Sequence, residues 1–226
     1  VDVDREYAMA IARLAAAGTR SRDIYEALTF EDVCRAADLL RPVYERTRGR
    51  DGYISIEISP HLADDTERTV AAAVRTWDCI NRANLLIKVP ATAAGVPAVR
   101  TLIGLGVNVN ATLLFSVTRY RQIAEAYIAG AEDYAASGQS PARLASVASF
   151  FLSRIDAFVD RRLDALATGT SRALRGQAAI ACARLAYRAY TEMLASPRWQ
   201  ALAPSGGRPQ RLLWASTSTK DKTYSE

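Results

Sequence analysis

The stretch from Asn84 to Ser116, NLLIKVPATAAGVPAVRTLIGLGVNVNATLLFS, restricts the fold of this chain more than any other. It opens with the apolar run Leu85-Leu86-Ile87, continues through Lys88 and Val89-Pro90, and then reads as helical from Ala93 to about Leu105. Gly104 and Gly106 supply the stop signals, and a second apolar run, Val107 to Phe115, carries Asn110 and Thr112 within it. Strand, helix, strand in 33 residues is close to the smallest parallel crossover unit. Such units place polar side chains at the carboxyl ends of their strands, where open sheets and barrels carry their chemistry. Lys88, Asn110 and Thr112 stand at those positions.

The rest of the chain repeats the theme. Residues 4–17 have helical spacing, Ser21 opens a short helix through Leu28, and Thr29 with Glu31 and Asp32 opens another toward Glu45. Residues 1–50 are therefore expected to be a helical lead-in, and 51–226 strand–helix repeats within a single partial domain. A strand is expected at Tyr53–Ile58 and a helix over 65–80 with Val70, Val74, Trp77 and Ile80 buried. A helix follows from Thr118 to Ala136, whose tyrosines 120, 127 and 134 read as packing. A strand over Leu144–Leu152, a helix starting at Ser153, one long helix over 173–195 and a last strand at Arg211–Ala215 complete the count. Five apolar strands alternating with helices predict an α/β fold with a parallel sheet. A closed barrel needs eight strands.

Composition narrows the function classes. With 226 residues and 50% hydrophobic content the chain can bury a sizeable core. A net charge of +5, with arginines set beside acids, reads as a solvated surface rather than a nucleic-acid site. No run reaches a membrane span, no signal peptide is evident, and three dispersed cysteines suit a cytoplasmic protein. One histidine and no paired cysteines leave no zinc site. There is no Walker loop and no GxGxxG.

Among the residues that can carry chemistry, Lys88 stands first. A lysine at the end of an apolar strand either reaches solvent or, if desolvated, yields the free amine that attacks a carbonyl. Glu57, in an otherwise apolar strand, is a tuned proton carrier if it points inward and an edge salt bridge if not. Asn110 and Thr112, two apart, share a face and need a partner. Ser146 or Ser149 forms a third cluster with Arg154, whose charge at a helix start an oxyanion would offset. Ser216-Thr217-Ser218-Thr219-Lys220 offers hydroxyls and a charge to the same anion. The single histidine, His61, reads as a surface or capping residue.

NLLIKVPAT with GVNVNATLLFS resembles the Schiff-base lysine signature and following strand of the transaldolases, and ISIEISPHLADDT, SVASFFLSRIDAFVD and LLWASTSTKD extend the match over essentially the whole chain. The nearest likeness is to the longer bacterial members. The resemblance implies a (β/α)8 barrel of which this chain holds strands three to seven, and class I aldolase chemistry with no metal and no organic cofactor. Lys88 would form the imine, Glu57 would move protons with a water, and Thr112 would place that water. Asn110 and Ser149 would bind substrate hydroxyls or the intermediate, and Arg154 the phosphate with Ser216 assisting. Ser218 occupies the position of a second phosphate arginine found in some members, and Lys220 would compensate.

Sugar phosphates are the expected small-molecule partners, with no nucleic acid or membrane, and a homodimer is a family expectation. The family's early strands with their aspartate and asparagine, and its last strand, are not found here. The expectation is therefore a fragment, with exposed sheet edges, that is inactive by itself. A related Schiff-base aldolase, an unusual-sugar transaldolase and an inert barrel fragment are the alternatives.

Overall fold

In the computed structural model, which describes residues 3–221 and 224, two compact units emerge: residues 1–56 with 75–85, and residues 57–74 with 86–226.

The first unit holds α1 (Val3–Ala16) and α2 (Ser21–Arg46), followed by most of β1 (Ile54–Glu57) and the last turns of α3 (Thr66–Ile80). The two helices expected over 21–45 are one. Nothing between Ser21 and Arg41 forces the backbone out of the helix, so Thr29 does not act as a cap, and Pro42 is accommodated in the closing turns. The unit is tied by polar side chains. Asn84, fully buried, donates through Nδ2 to the carbonyls of Ala37 and Gly52 at 2.8 and 2.9 Å. Arg75 forks onto Glu26, and Arg82 onto Asp38.

The second unit carries β2 (Leu85–Pro90, from Leu86 onward), α4 (Gly95–Gly104), β3 (Val109–Leu114), α5 (Val117–Ala136) and β4 (Ser146–Phe151). After these come α6 (Ser153–Leu166), α7 (Gly169–Ala173), α8 (Ala178–Leu194), α9 (Pro197–Leu202) and β5 (Arg211–Ala215). The strands lie in the order β1-β2-β3-β4-β5, and β2/β3, β3/β4 and β4/β5 pair in parallel. A sheet that grows always in one direction through right-handed crossovers puts every crossover helix on the same face. That is how a (β/α) barrel is built, and the five strands expected from the sequence are the five observed.

Alternation sorts the strand side chains onto two faces. Ile87, Val89, Val109, Ala111, Ala148 and Phe150 are fully buried toward the helices. Lys88, Asn110 and Thr112 take the other face, because Lys88 is in register with Asn110 and Pro90 with Thr112. Between β3 and β4 the register slips: Ala111 pairs with Ala148, but Leu114 with Phe150, so Thr112 and Leu113 stand against Ser149 alone. Leu113 absorbs the extra residue at φ +61. The slip keeps Thr112 on the polar face and returns Leu114 to the core.

Two helix expectations change. The helix expected over 173–195 breaks at Gly176, whose left-handed φ of +68 ends one segment before α8 begins. The buried stripe of α3 runs through Thr69, Ala73, Thr76 and Ile80, while Val70, Val74 and Trp77 are only half-buried. Thr69 tolerates burial because its hydroxyl donates to the Leu62 carbonyl at 2.8 Å. The tyrosine stripe is packing for its first two members. Tyr120 and Tyr127 are buried in α5, and the Tyr127 hydroxyl donates to the Arg208 carbonyl. Among the described residues, no helix is long and apolar enough to cross a membrane.

Candidate active site

Lys88 lies in the fourth position of β2 and Glu57 at the last position of β1. The Lys88 ammonium donates to Glu57 Oε1 in a direct ion pair. The lysine side chain is 25% exposed and the glutamate 67%, so the amine is partly shielded while the carboxylate reaches solvent. Of the two alternatives open for Glu57 the salt-bridged one is observed, and Lys88 lies between its two, partly shielded and held by a counter-charge. Exposure this high limits the pair to about 0–1 kcal/mol of stability.

On the next strand Asn110 and Thr112 are buried at 6% and 5% exposure. Asn110 Oδ1 accepts from the Ser149 hydroxyl at 2.7 Å, which joins β3 to β4 on the polar face. The two serines considered for β4 separate cleanly. Ser146 donates to the Val109 carbonyl at 2.7 Å and accepts from buried Gln210 at 2.9 Å, and it shares the strand parity of the core residues Ala148 and Phe150 rather than that of Ser149. Ser149 alone belongs with Asn110.

Arg154 is the second residue of α6 and is exposed. Its guanidinium lies 5.2 Å from the centre of the Phe151 ring, so an aromatic face partly answers the charge that the sequence left unexplained. Ser216, at φ +52, is joined to the start of α6 twice. Its carbonyl accepts from the Ser153 amide at 2.9 Å, and the two hydroxyls lie 2.9 Å apart. Ser218 and Lys220 are exposed and bonded to each other at 2.9 Å. Lys88, Glu57, Asn110, Thr112 and Ser149 thus sit on neighbouring strands, while Arg154, Ser216, Ser218 and Lys220 occupy the loop ends next to β4 and β5. Among the described residues no group of His, Cys, Asp and Glu is arranged to hold a metal.

A cleft of about 950 Å3 lies beyond Ser153 rather than beside Lys88, lined among others by Asp156, Asp160, Arg175, Lys220 and Tyr224. Of these, only Lys220 is among the site residues expected from the sequence. The one local signal was Gly176, which interrupts an otherwise helical pattern where Tyr224 packs.

Sheet order, one-sided helices and a lysine–carboxylate pair toward the strand ends define a parallel α/β protein of the barrel type. Comparison with known proteins narrows this. The family model described as Transaldolase/Fructose-6-phosphate aldolase matches residues 3–226. The chain is 51% identical over 221 residues to a transaldolase of Saccharopolyspora erythraea, covering 98% of this chain and 59% of that protein. It is 50% identical over 220 residues to transaldolase 1 of Streptomyces avermitilis (97% and 58%) and 50% identical over 208 residues to a transaldolase of Thermobifida fusca (92% and 56%). The chain belongs to the transaldolase/fructose-6-phosphate aldolase family. It spans somewhat less than three fifths of the length of these relatives.

Proposed function

We propose that the chain carries the Schiff-base centre of a transaldolase, which moves a dihydroxyacetone unit from a ketose phosphate to an aldose phosphate. The observation that carries the reading is the direct Lys88–Glu57 pair on the polar face of the sheet, beside Asn110 bonded to Ser149. At rest the ammonium is unreactive. As a ketose carbonyl arrives, Glu57 accepts one proton from Lys88, and the freed amine adds to the carbon to give a carbinolamine. Loss of that hydroxyl as water, with the proton returned from Glu57 directly or through a water beside Thr112, leaves the protonated imine.

The iminium is the electron sink. When the donor C4 hydroxyl loses its proton to the Glu57 side, the C3–C4 bond breaks, its electron pair enters the imine system, and the aldose phosphate leaves. The enamine that remains on Lys88 attacks the acceptor aldehyde, and hydrolysis releases the new ketose with the amine restored. Asn110 and Ser149 would hold the hydroxyls of the three-carbon unit. Arg154 would take the phosphate, with Ser216, Ser218 and Lys220 alongside. The free cysteines 34, 79 and 182 support a reducing, cytoplasmic setting. A homodimer is carried by family resemblance alone and is open to light scattering.

Borohydride trapping tests the reading. Fructose 6-phosphate with borohydride should add a reduced adduct at Lys88 of the full-length protein, and Lys88→Ala should show none. An unmodified Lys88, or an adduct on another lysine, would overturn it. A second arm, cleavage of fructose 6-phosphate with and without an aldehyde acceptor, separates transferase from aldolase.

A further inference from the structure

We propose that Asp160 and Tyr224, with Arg175, are positioning residues that clamp the segment after β5 against α6 and α8. They thereby set the site's affinity for the phosphate end of its substrate. The phosphate part of this proposal rests on the Schiff-base reading above, while the clamp itself does not.

Asp160 sits in the middle of α6 at 6% exposure. A carboxylate taken out of water is costly unless both oxygens find donors. Here Oδ1 accepts from the Gly176 amide at 3.1 Å and Oδ2 from the Tyr224 hydroxyl at 2.6 Å. One donor lies at the junction before α8 and the other beyond β5, so satisfying this one buried charge draws two distant segments together. Gly176 makes the approach feasible: a Cβ there would meet the Tyr224 ring at 3.1 Å, and its φ of +68 disfavours a side chain independently. Arg175 adds a second tie, reaching Asp164 at 2.6 Å on α6 and Asp221 at 2.5 Å after β5.

The other end of the segment is fixed as well. The Leu152 amide donates to the Ala215 carbonyl, the Ser153 amide to the Ser216 carbonyl, and the Ser153 and Ser216 hydroxyls meet. Residues 217–220 therefore run between two anchors, and three of them (Thr217, Thr219 and Lys220) line the cleft. Ser153 and Ser216 join this segment to the start of α6, immediately before Arg154. A segment pinned at both ends presents Ser216, Ser218 and Lys220 in one arrangement, so less ordering is left to be done when an anion binds.

The test uses the full-length protein and two near-isosteric variants, Tyr224→Phe and Asp160→Asn. Tyr224→Phe removes one hydroxyl and keeps the ring on Gly176, so the fold should survive even if Asp160→Asn does not. Loss of a hydrogen bond to a carboxylate should speed amide hydrogen exchange over 216–221 by roughly tenfold or more, with strands β2–β4 unchanged. Inorganic phosphate binding, measured by calorimetry, should weaken by about tenfold. The KM for fructose 6-phosphate should rise to match, with kcat and the KM for unphosphorylated dihydroxyacetone unchanged.

Unchanged exchange in Tyr224→Phe would overturn the clamp whatever the enzyme does. Faster exchange with unaltered phosphate binding, or with both donors affected equally, would overturn its link to the phosphate. Trapping at Lys88 in the unaltered protein reports separately on the Schiff base.

Discussion

Two glycines at opposite ends of α4 allow the packing around the Lys88 strand to be tested with a single kind of substitution. At Gly95, the first residue of α4, a Cβ would lie 1.9 Å from the Pro90 carbonyl oxygen and 3.2 Å from Thr92 Oγ1. Ordinary contact begins near 3.4 Å, so the shortfall against the Pro90 oxygen is about 1.5 Å. The clash is with backbone and cannot be relieved by a rotamer. Pro90 closes β2 two residues after Lys88, and Gly95 is tied into the same turn through its amide on Thr92 Oγ1. At Gly104, the last residue of α4, the nearest atoms are Asp133 Cβ at 3.4 Å and the Gly130 oxygen at 3.7 Å, which is ordinary contact.

Alanine favours a helix over glycine by up to about 1 kcal/mol at either position, with less at a helix end. Overpacking costs about 1–3 kcal/mol, and an overlap with fixed backbone belongs at the upper end. Gly95→Ala should therefore destabilise by about 2 kcal/mol, while Gly104→Ala should be neutral or stabilising by a few tenths. In a chain of this size 2 kcal/mol corresponds to roughly 4–8 °C in Tm. Urea unfolding of both variants, with near-equal m-values, gives the comparison. Because the displaced turn follows Lys88, the borohydride adduct should also fall in Gly95→Ala and not in Gly104→Ala. Equal stabilities for the two variants would refute the reasoning, since helix propensity would then outweigh the space around β2.

Phe150 is fully buried and meets Trp214 edge to face with ring centres 6.2 Å apart, so Phe150→Ala should cost about 3–5 kcal/mol by denaturant titration. Glu26 is held below the ordinary glutamate range, first by its hydrogen bond from Arg75, then by the charges of Arg75 and Arg22 against an opposing effect of burial. A folded-state pKa below the unfolded one means that the unfolded chain binds more protons. The stabilisation is therefore complete above about pH 4.3 and is lost as pH falls through the lower folded value. At most about 1 kcal/mol is involved, and Arg75→Met should flatten this part of the acid limb in a pH series of unfolding curves. Lys88→Ala should abolish the borohydride adduct, and Tyr224→Phe should loosen residues 216–221, as set out above.

Much of the fold could be read along the chain because its signals are local. Apolar runs at β2, β3 and β4 and glycine stops at 104 and 106 each act within a few residues, whereas the cap at Ser116, which accepts from the Arg119 amide, is not among the expected helix starts. Glu57 closes β1 as its apolar run implies. Lys88 is instead fourth of the six residues of β2 and Asn110 second of the six of β3, because pairing carries each strand past the polar residue that interrupts its apolar run. Helix continuity across Leu28 and Thr29 is not legible locally, because a threonine caps only where the backbone leaves the helix, and that departure depends on what the helix packs against. The break at Gly176 was available from its residue type but required knowing that Tyr224 lies on it.

The sequence by itself determined the strand–helix alternation, the apolar strands and which polar residues interrupt them, since period and residue type are properties of neighbours in the chain. Tertiary structure decided the rest. It paired Lys88 with Glu57 across 31 residues and Asn110 with Ser149 across 39, and it gave Ser146 its remote partners, Val109 and Gln210. It slipped the register at Leu113, and it gave the buried carboxylate of Asp160 its donor 64 residues away. The physical reason is that register and charge satisfaction are fixed by burial between remote segments, and burial exists only once the chain has folded.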